Sequence, residues 1–268
     1  MRSCPACKLE FLDPQPDDSV LATIYGSSYF LGGQNDQAAA RRSQMKTATG
    51  QLYVDILTAL VPPAAPTLLE IGCGHGEVLL EARRRGFQVT GIEPSEPAAA
   101  TANARLGTPL VEAGSIETAD LCPESFDAIL AADVIEHVRD PATLLKRVQL
   151  LLRPGGTLLL VTPSLDSWTR RLLRSRWLEY KIEHLYYFNP ASIRLLLEKT
   201  GFSQIRIQPS RKVLTIDYIW RHFERFPVPL LSPMLGVIRT VMPDGIAFRH
   251  VRLPSSGLMA IARKPAHR

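Results

Sequence analysis

The chain has 268 residues, 46% of them hydrophobic and 21% charged. That is enough to bury a full core, which excludes wholesale disorder and a disulfide-stapled miniature fold with its 4 cysteines. The net charge of +5 is mild, no apolar run reaches the length of a membrane span, and Met1-Arg2-Ser3-Cys4 lacks an apolar signal core, so a reduced, cytoplasmic protein is expected.

In chain order, Cys4-Pro5-Ala6-Cys7 comes first and resembles the second half of a zinc ribbon. A structural zinc site needs four ligands and two are here, so a ribbon remnant without metal is expected. Residues 1–60 read as an N-terminal segment and helical cap, with Tyr25 to Phe30, a Gly-Gly break and a helix through Met45 to Leu60. Pro62-Pro63-Ala64-Ala65-Pro66 is a stiff spacer into a second unit, 61–268.

Thr67-Leu68-Leu69-Glu70-Ile71 is an apolar run read as a buried strand. Gly72, Gly74 and Gly76 follow at alternate positions, and Val78 to Arg85 has helix-forming residues stopped by Gly86. Strand, glycine turn and helix make the first crossing of a doubly wound sheet, where nucleotide-like ligands bind. The dinucleotide pattern G-x-G-x-x-G is not met, because Glu77 stands where its third glycine belongs. A carboxylate there is poor company for a pyrophosphate and tolerable beside a sulfonium and an ammonium. Gln88-Val89-Thr90-Gly91-Ile92-Glu93 is a second strand ending in an acid, about where a carboxylate grips ribose hydroxyls.

Ser95 caps the next helix, with Pro97 just inside and Gly107 at its end. Further strands are read at 109–113, 126–132, 157–163, 205–208 and 257–263, and Pro141 opens a helix with a stripe at Leu144, Leu145, Val148 and Leu151. The segments about 164–189 and 211–249 interrupt this alternation and are too long for simple turns. The fold expected is α/β: a doubly wound, Rossmann-like, mostly parallel seven-stranded sheet with an N-terminal helical cap and a C-terminal insertion.

Glu70 to Gly76, Glu93-Pro94-Ser95, Asp133-Val134-Ile135-Glu136-His137 and Arg153-Pro154-Gly155-Gly156-Thr157 resemble the ordered motifs of class I S-adenosylmethionine-dependent methyltransferases. His184-Leu185-Tyr186-Tyr187-Phe188 and Thr200-Gly201-Phe202 are similar to the signature of their UbiG-like small-molecule subgroup. The resemblance implies that S-adenosyl-L-methionine is held by Tyr29, Glu70, Gly72, Cys73, Gly74, Gly76, Glu93, Pro94, Ser115, Ile116 and Asp133. It also implies that Tyr29 closes over the cofactor, that Ser115 and Ile116 meet the adenine, and that the two insertions build the acceptor pocket. An Asp is more usual in the family where Ser115 stands.

Methyl transfer from a sulfonium is an in-line displacement, so the protein mainly aligns the reactants in a dry pocket. A base is needed only for a protonated acceptor; His137 and His184 are the catalytic candidates. The function expected is methyl transfer to oxygen, nitrogen or carbon of a small-molecule acceptor. RNA modification, from the Arg-rich stretch Arg170 to Tyr180, and a non-catalytic binding protein of the same fold are the alternatives. The charge pattern otherwise reads as solvated helix faces, with no clear nucleic-acid or membrane signal.

Overall fold

The computed structural model describes residues 1–24, 36–61, 64–229 and 231–266. Among them, seven strands form one sheet, built on β3 (Thr67–Ile71), β4 (Gln88–Glu93), β5 (Val111–Ala113), β6 (Phe126–Ala132), β7 (Leu152–Pro163), β9 (Ser203–Leu214) and β10 (Val251–Arg263). Their order is β5-β4-β3-β6-β7-β10-β9. The first five run parallel, and β10 lies antiparallel between β7 and β9.

Period-two geometry divides the apolar residues between two cores. Leu69, Ile129 and Leu160 face one side, while Leu68, Leu130 and Leu159 face the other. Both faces are therefore covered, which is why the parallel strands read as continuous apolar runs. On the first face lie α5 (Pro141–Leu151) and α7 (Pro190–Lys199), with Leu144, Leu145, Val148, Leu151 and Ile193 buried. On the second lie α2 (Asp36–Thr58), α3 (Glu77–Arg84) and α4 (Glu96–Leu106), through Val54, Leu57, Leu79 and Ala102. Gly50 of α2 lets Val78 of α3 come close, since a Cβ there would stand 2.9 Å from its Cγ2.

Local chemistry sets the helix ends. The Ser95 side chain accepts from Ala98 N, and Gly107 ends α4 with φ +70. Asp140 caps α5 by accepting from Ala142 N and Thr143 N, and Asn189 forms a reciprocal capping box with Ser192 on α7.

The N-terminal segment makes a second, three-stranded sheet. β1 (Arg2–Ser3) and β2 (Glu10–Phe11) pair with each other, and β2 pairs with β8 (Tyr186–Tyr187). Glu10 also bonds Arg170, and Asn189 Nδ2 donates to Cys7 O at 3.0 Å. The Cys4–Cys7 knuckle thus docks on the 164–189 connection, which carries the short α6 (Trp168–Leu173); the short α1 (Asp18–Ile24) follows the hairpin.

Strand boundaries differ from the sequence reading chiefly around the second insertion. β9 continues through Leu214, so the sheet is not interrupted at Arg211; only the span between Leu214 and Val251 leaves it. That span holds α8 (Ile216–Arg225), α9 (Leu231–Val241) and α10 (Asp244–Ala247). Buried Asp217 binds it together, accepting from Arg221 Nε and Arg239 Nε at 2.9 Å each. The polar run Arg211-Lys212 hides the strand because it lies where β9 reaches past the core. No helix among the described residues is long and apolar enough to cross a membrane.

Candidate functional site

From β3 the chain winds outward through β4 and β5, then returns to place β6 on the other side of β3. This reversal opens a crevice at the carboxyl ends of β3, β4 and β6. Into it runs the turn after Ile71, with Gly72, Gly74 and Gly76 at φ +70, +54 and +75. L residues with side chains seldom adopt those angles. A Cβ on Gly72 would meet Val134 Cγ2 at 2.7 Å, whereas a Cβ on Gly74 would point into open space. Gly72 is thus needed for packing, and Gly74 leaves room for a ligand.

Glu93, at the end of β4 and 3% exposed, holds this turn in place. Its Oε2 accepts from Gly74 N at 2.8 Å and its Oε1 from Ser95 N at 3.0 Å. Each carboxylate oxygen keeps a second lone pair. Two acceptors held this way suit two adjacent hydroxyls.

Glu77 and Glu93 both lie close enough to Glu70 to repel its charge. Glu77, on the first turn of α3, accepts from Ser43 Oγ and pairs with Arg105 at 3.0 Å, linking α2, α3 and α4. Glu70 is buried, and its Oε2 has no hydrogen-bond partner among the described residues. Burial, with repulsion from Glu77 and Glu93, drives its carboxyl well above the usual carboxylate range. An orphaned buried carboxyl oxygen among acids fits a cationic group, which would supply the missing donor. Lys46 of α2 offsets part of this field.

The remaining described cofactor candidates follow the carboxyl ends of β3, β4, β5 and β6, with unequal means to contribute. The Cys73 side chain is buried beneath Gly91, so that residue faces a ligand only through its backbone. Pro94 is exposed directly after Glu93; Ser115 is half-buried with its Oγ on Glu117, and Ile116 is buried. Tyr29 lies outside the described residues. Asp133, at φ +55, pairs with Lys212 Nζ at 2.6 Å. Burial would raise the Asp133 carboxyl, but Lys212 outweighs it and holds it low. Burial would likewise lower the Lys212 ammonium, yet Asp133, Tyr53 and Glu179 lift it above its ordinary range. The Asp133 side chain is nonetheless 45% accessible.

His137 and His184 are brought together, with ring centroids 4.7 Å apart and edge-on. His137 is half-buried and its Nδ1 lies 3.0 Å from Glu183 O. His184 is buried, and its Nδ1 has no hydrogen-bond partner among the described residues. Burial lowers both imidazoles, His184 to about 3 with added repulsion from His137, so both rings are neutral near pH 7. Glu136 beside them accepts from Thr162 Oγ1 at 2.9 Å, and burial followed by repulsion from Asp133 pushes its carboxyl up to about 8. Donor atoms of Glu136, His137 and His184 lie within 4.8 Å of one another, close enough to share a divalent cation.

A cleft of about 1260 Å³ borders the turn at His75 and Glu77. Its walls are α2, the turn itself, the 175–183 stretch and α8. Sequence reasoning found the turn and Glu93 and placed the α8 segment in an insertion expected to build the acceptor pocket, but it missed Lys46 and Lys212. Lys46 looks like an ordinary surface position of an amphipathic helix, and Lys212 reaches Asp133 across 79 residues.

A family profile described as "Methyltransferase domain" matches residues 41–207, more than half of the chain. The chain is 35% identical over 121 residues to a ubiquinone biosynthesis O-methyltransferase of Bradyrhizobium sp. (strain ORS 278), covering 44% of this chain and 47% of that one. It is 29% identical over 170 residues to a tRNA U34 carboxymethyltransferase of Pseudoalteromonas translucida, covering 60% and 52%. The chain spans about half the length of these two curated relatives. Its fold matches phosphoethanolamine N-methyltransferase 2 of Haemonchus contortus, solved in complex with S-adenosyl-L-methionine, at TM-score 0.53 and 21% identity over 80% of this chain and 52% of that one. A possible histamine N-methyltransferase of Thermotoga maritima matches at TM-score 0.55 and 20% identity, over 83% and 91%.

Proposed function

The chain belongs to the methyltransferase domain family, and on that footing we propose that it transfers a methyl group from S-adenosyl-L-methionine to a small-molecule acceptor at oxygen, nitrogen or carbon. Support comes chiefly from one observation: Glu93 grips the backbone of an open glycine turn, and Glu70, close enough to feel its charge, keeps an orphaned buried oxygen. Glu93 takes the ribose hydroxyls with its remaining lone pairs, and Gly74 leaves space for the ligand. Glu70 accepts from the methionine ammonium, while Lys46 stands on the α2 side for the carboxylate. Ile116 and Ser115 border the adenine. Bound there, the cofactor supplies an electrophilic methyl whose leaving group departs neutral.

The protein's own part is alignment and dryness. His137 is the group that takes a proton from an acceptor arriving protonated, because its ring is kept neutral by burial. His184, buried behind it, fixes the ring edge-on and positions it. Small-molecule substrates fit the relatives named for ubiquinone biosynthesis and phosphoethanolamine. Calorimetric titration with S-adenosylhomocysteine tests the reading, with saturable binding expected. Stabilisation by NAD with none by S-adenosylhomocysteine would overturn it.

A further inference from the structure

The cleft has a charge pattern that methyl transfer alone does not require. Six cationic side chains line it: Arg42, Lys46, Arg176, Lys181, Arg221 and Arg225. The acids among its lining residues are Glu77 and Glu183, and Glu77 is already paired with Arg105. Arg221 pairs with Asp217, and Lys181 lies 3.4 Å from Glu179. Arg42, Lys46, Arg176 and Arg225 have no ion-pair partner among the described residues.

These four divide by position. Arg42 and Lys46 rise from α2 beside His75 and Glu77, on the cofactor side of the cleft. Arg176 and Arg225 come from the 175–183 stretch and from α8, which form the other wall. α8 also presents an apolar face to the cleft: Tyr218 and His222 stack with centroids 6.2 Å apart and planes 15° apart, and Phe226 follows at 5.4 Å from His222. Burial lowers the His222 imidazole, so it adds no charge to that face near pH 7. Two unneutralised guanidiniums over an apolar wall are the chemistry that holds an oxyanion bidentately while its apolar remainder packs below. A recess with an excess of one sign of charge, six cationic side chains against two acids, also concentrates ions of the other sign.

The geometry points to an acceptor that carries an oxyanion, a carboxylate or a phosphate, bound by Arg176 and Arg225 on the wall facing the cofactor. This rests on the methyl-transfer reading above and names the substrate class of the same site.

The test uses the full chain saturated with S-adenosylhomocysteine, titrated calorimetrically with inorganic phosphate and, separately, with benzoate. Saturable binding of at least one probe is expected, and which one binds separates a phosphate from a carboxylate acceptor. Arg176→Gln with Arg225→Gln should weaken it at least about tenfold, the loss expected for charge-assisted contacts. Substitution of exposed arginines leaves the fold intact, and unchanged S-adenosylhomocysteine affinity verifies this. Lack of binding by either probe, or equal binding by wild type and variant, overturns the proposal. Salt-steep binding of a short RNA with no response to the small anions overturns it in favour of nucleic acid. Failure to bind S-adenosylhomocysteine is a separate outcome, which sinks the cofactor assignment; phosphate and benzoate titrated into the unsaturated chain then still decide the anion site.

Discussion

Replacing Glu93 by glutamine separates its two roles. The carboxylate accepts from Gly74 N at 2.8 Å and from Ser95 N at 3.0 Å, in a position 3% exposed. Glutamine has one acceptor oxygen and one donor amide, so in either orientation its NH2 faces a backbone N–H. One buried donor then goes unsatisfied, costing about 1–3 kcal/mol. For a chain of this size that lowers the melting temperature by roughly 3–10 °C. The lost charge also weakens both ribose contacts, and about 1.4 kcal/mol at each amounts to roughly a hundredfold in affinity. Glu93→Asp keeps the charge but withdraws it by one methylene from Gly74 N, so it should fail as well. Differential scanning fluorimetry reads the first effect and titration with S-adenosylhomocysteine the second. Affinity within threefold of wild type would refute the ribose role, even if the melting temperature falls.

Three further substitutions probe neighbouring features. Gly74→Ala should reduce S-adenosylhomocysteine affinity more than tenfold while costing only about 1–2 kcal/mol of stability, since its Cβ meets no protein atom and only φ +54 is strained; equal affinity would show that the ligand does not occupy that space. Gly91→Ala places a Cβ 2.7 Å from Leu79 Cδ1 and 2.9 Å from both Cys73 Sγ and Val111 Cγ2, and should destabilise by about 1–3 kcal/mol in urea unfolding. Adding Cys73→Ala should restore part of that loss, and strict additivity of the two would contradict the packing account. Asp127 accepts from Thr67 N, Thr67 Oγ1 and Arg153 Nη1 at 2.8, 2.9 and 2.7 Å. Burial raises its carboxyl, but these donors outweigh burial and hold it below its ordinary value. A depressed acid stabilises above its unfolded pKa of 3.8, and that stability is lost as pH falls through the folded value. Asp127→Asn should therefore unfold more readily at pH 7 and lose less on acidification; parallel curves for the two proteins would refute this.

Much of the architecture was legible because it depends on short-range chemistry. Short apolar runs, the Ser95 cap with its Gly107 stop and the apolar stripe of α5 act within a few residues, so the seven strands could be read in order. The glycine turn and Glu93 were legible for the same reason: a turn that needs positive φ admits few residue types, and the acid follows one crossing later. Tertiary structure alone decided the rest. Lys212 meets Asp133, His184 meets His137, and Tyr186-Tyr187 completes a sheet with Glu10-Phe11 only because distant segments dock. Most arginines of the cleft belong to helices whose sequence fixes an amphipathic face but not the neighbour it meets. Local patterns carry the energetics of helix and strand; the meeting of charges across tens of residues depends on packing, which leaves no periodic trace in the sequence.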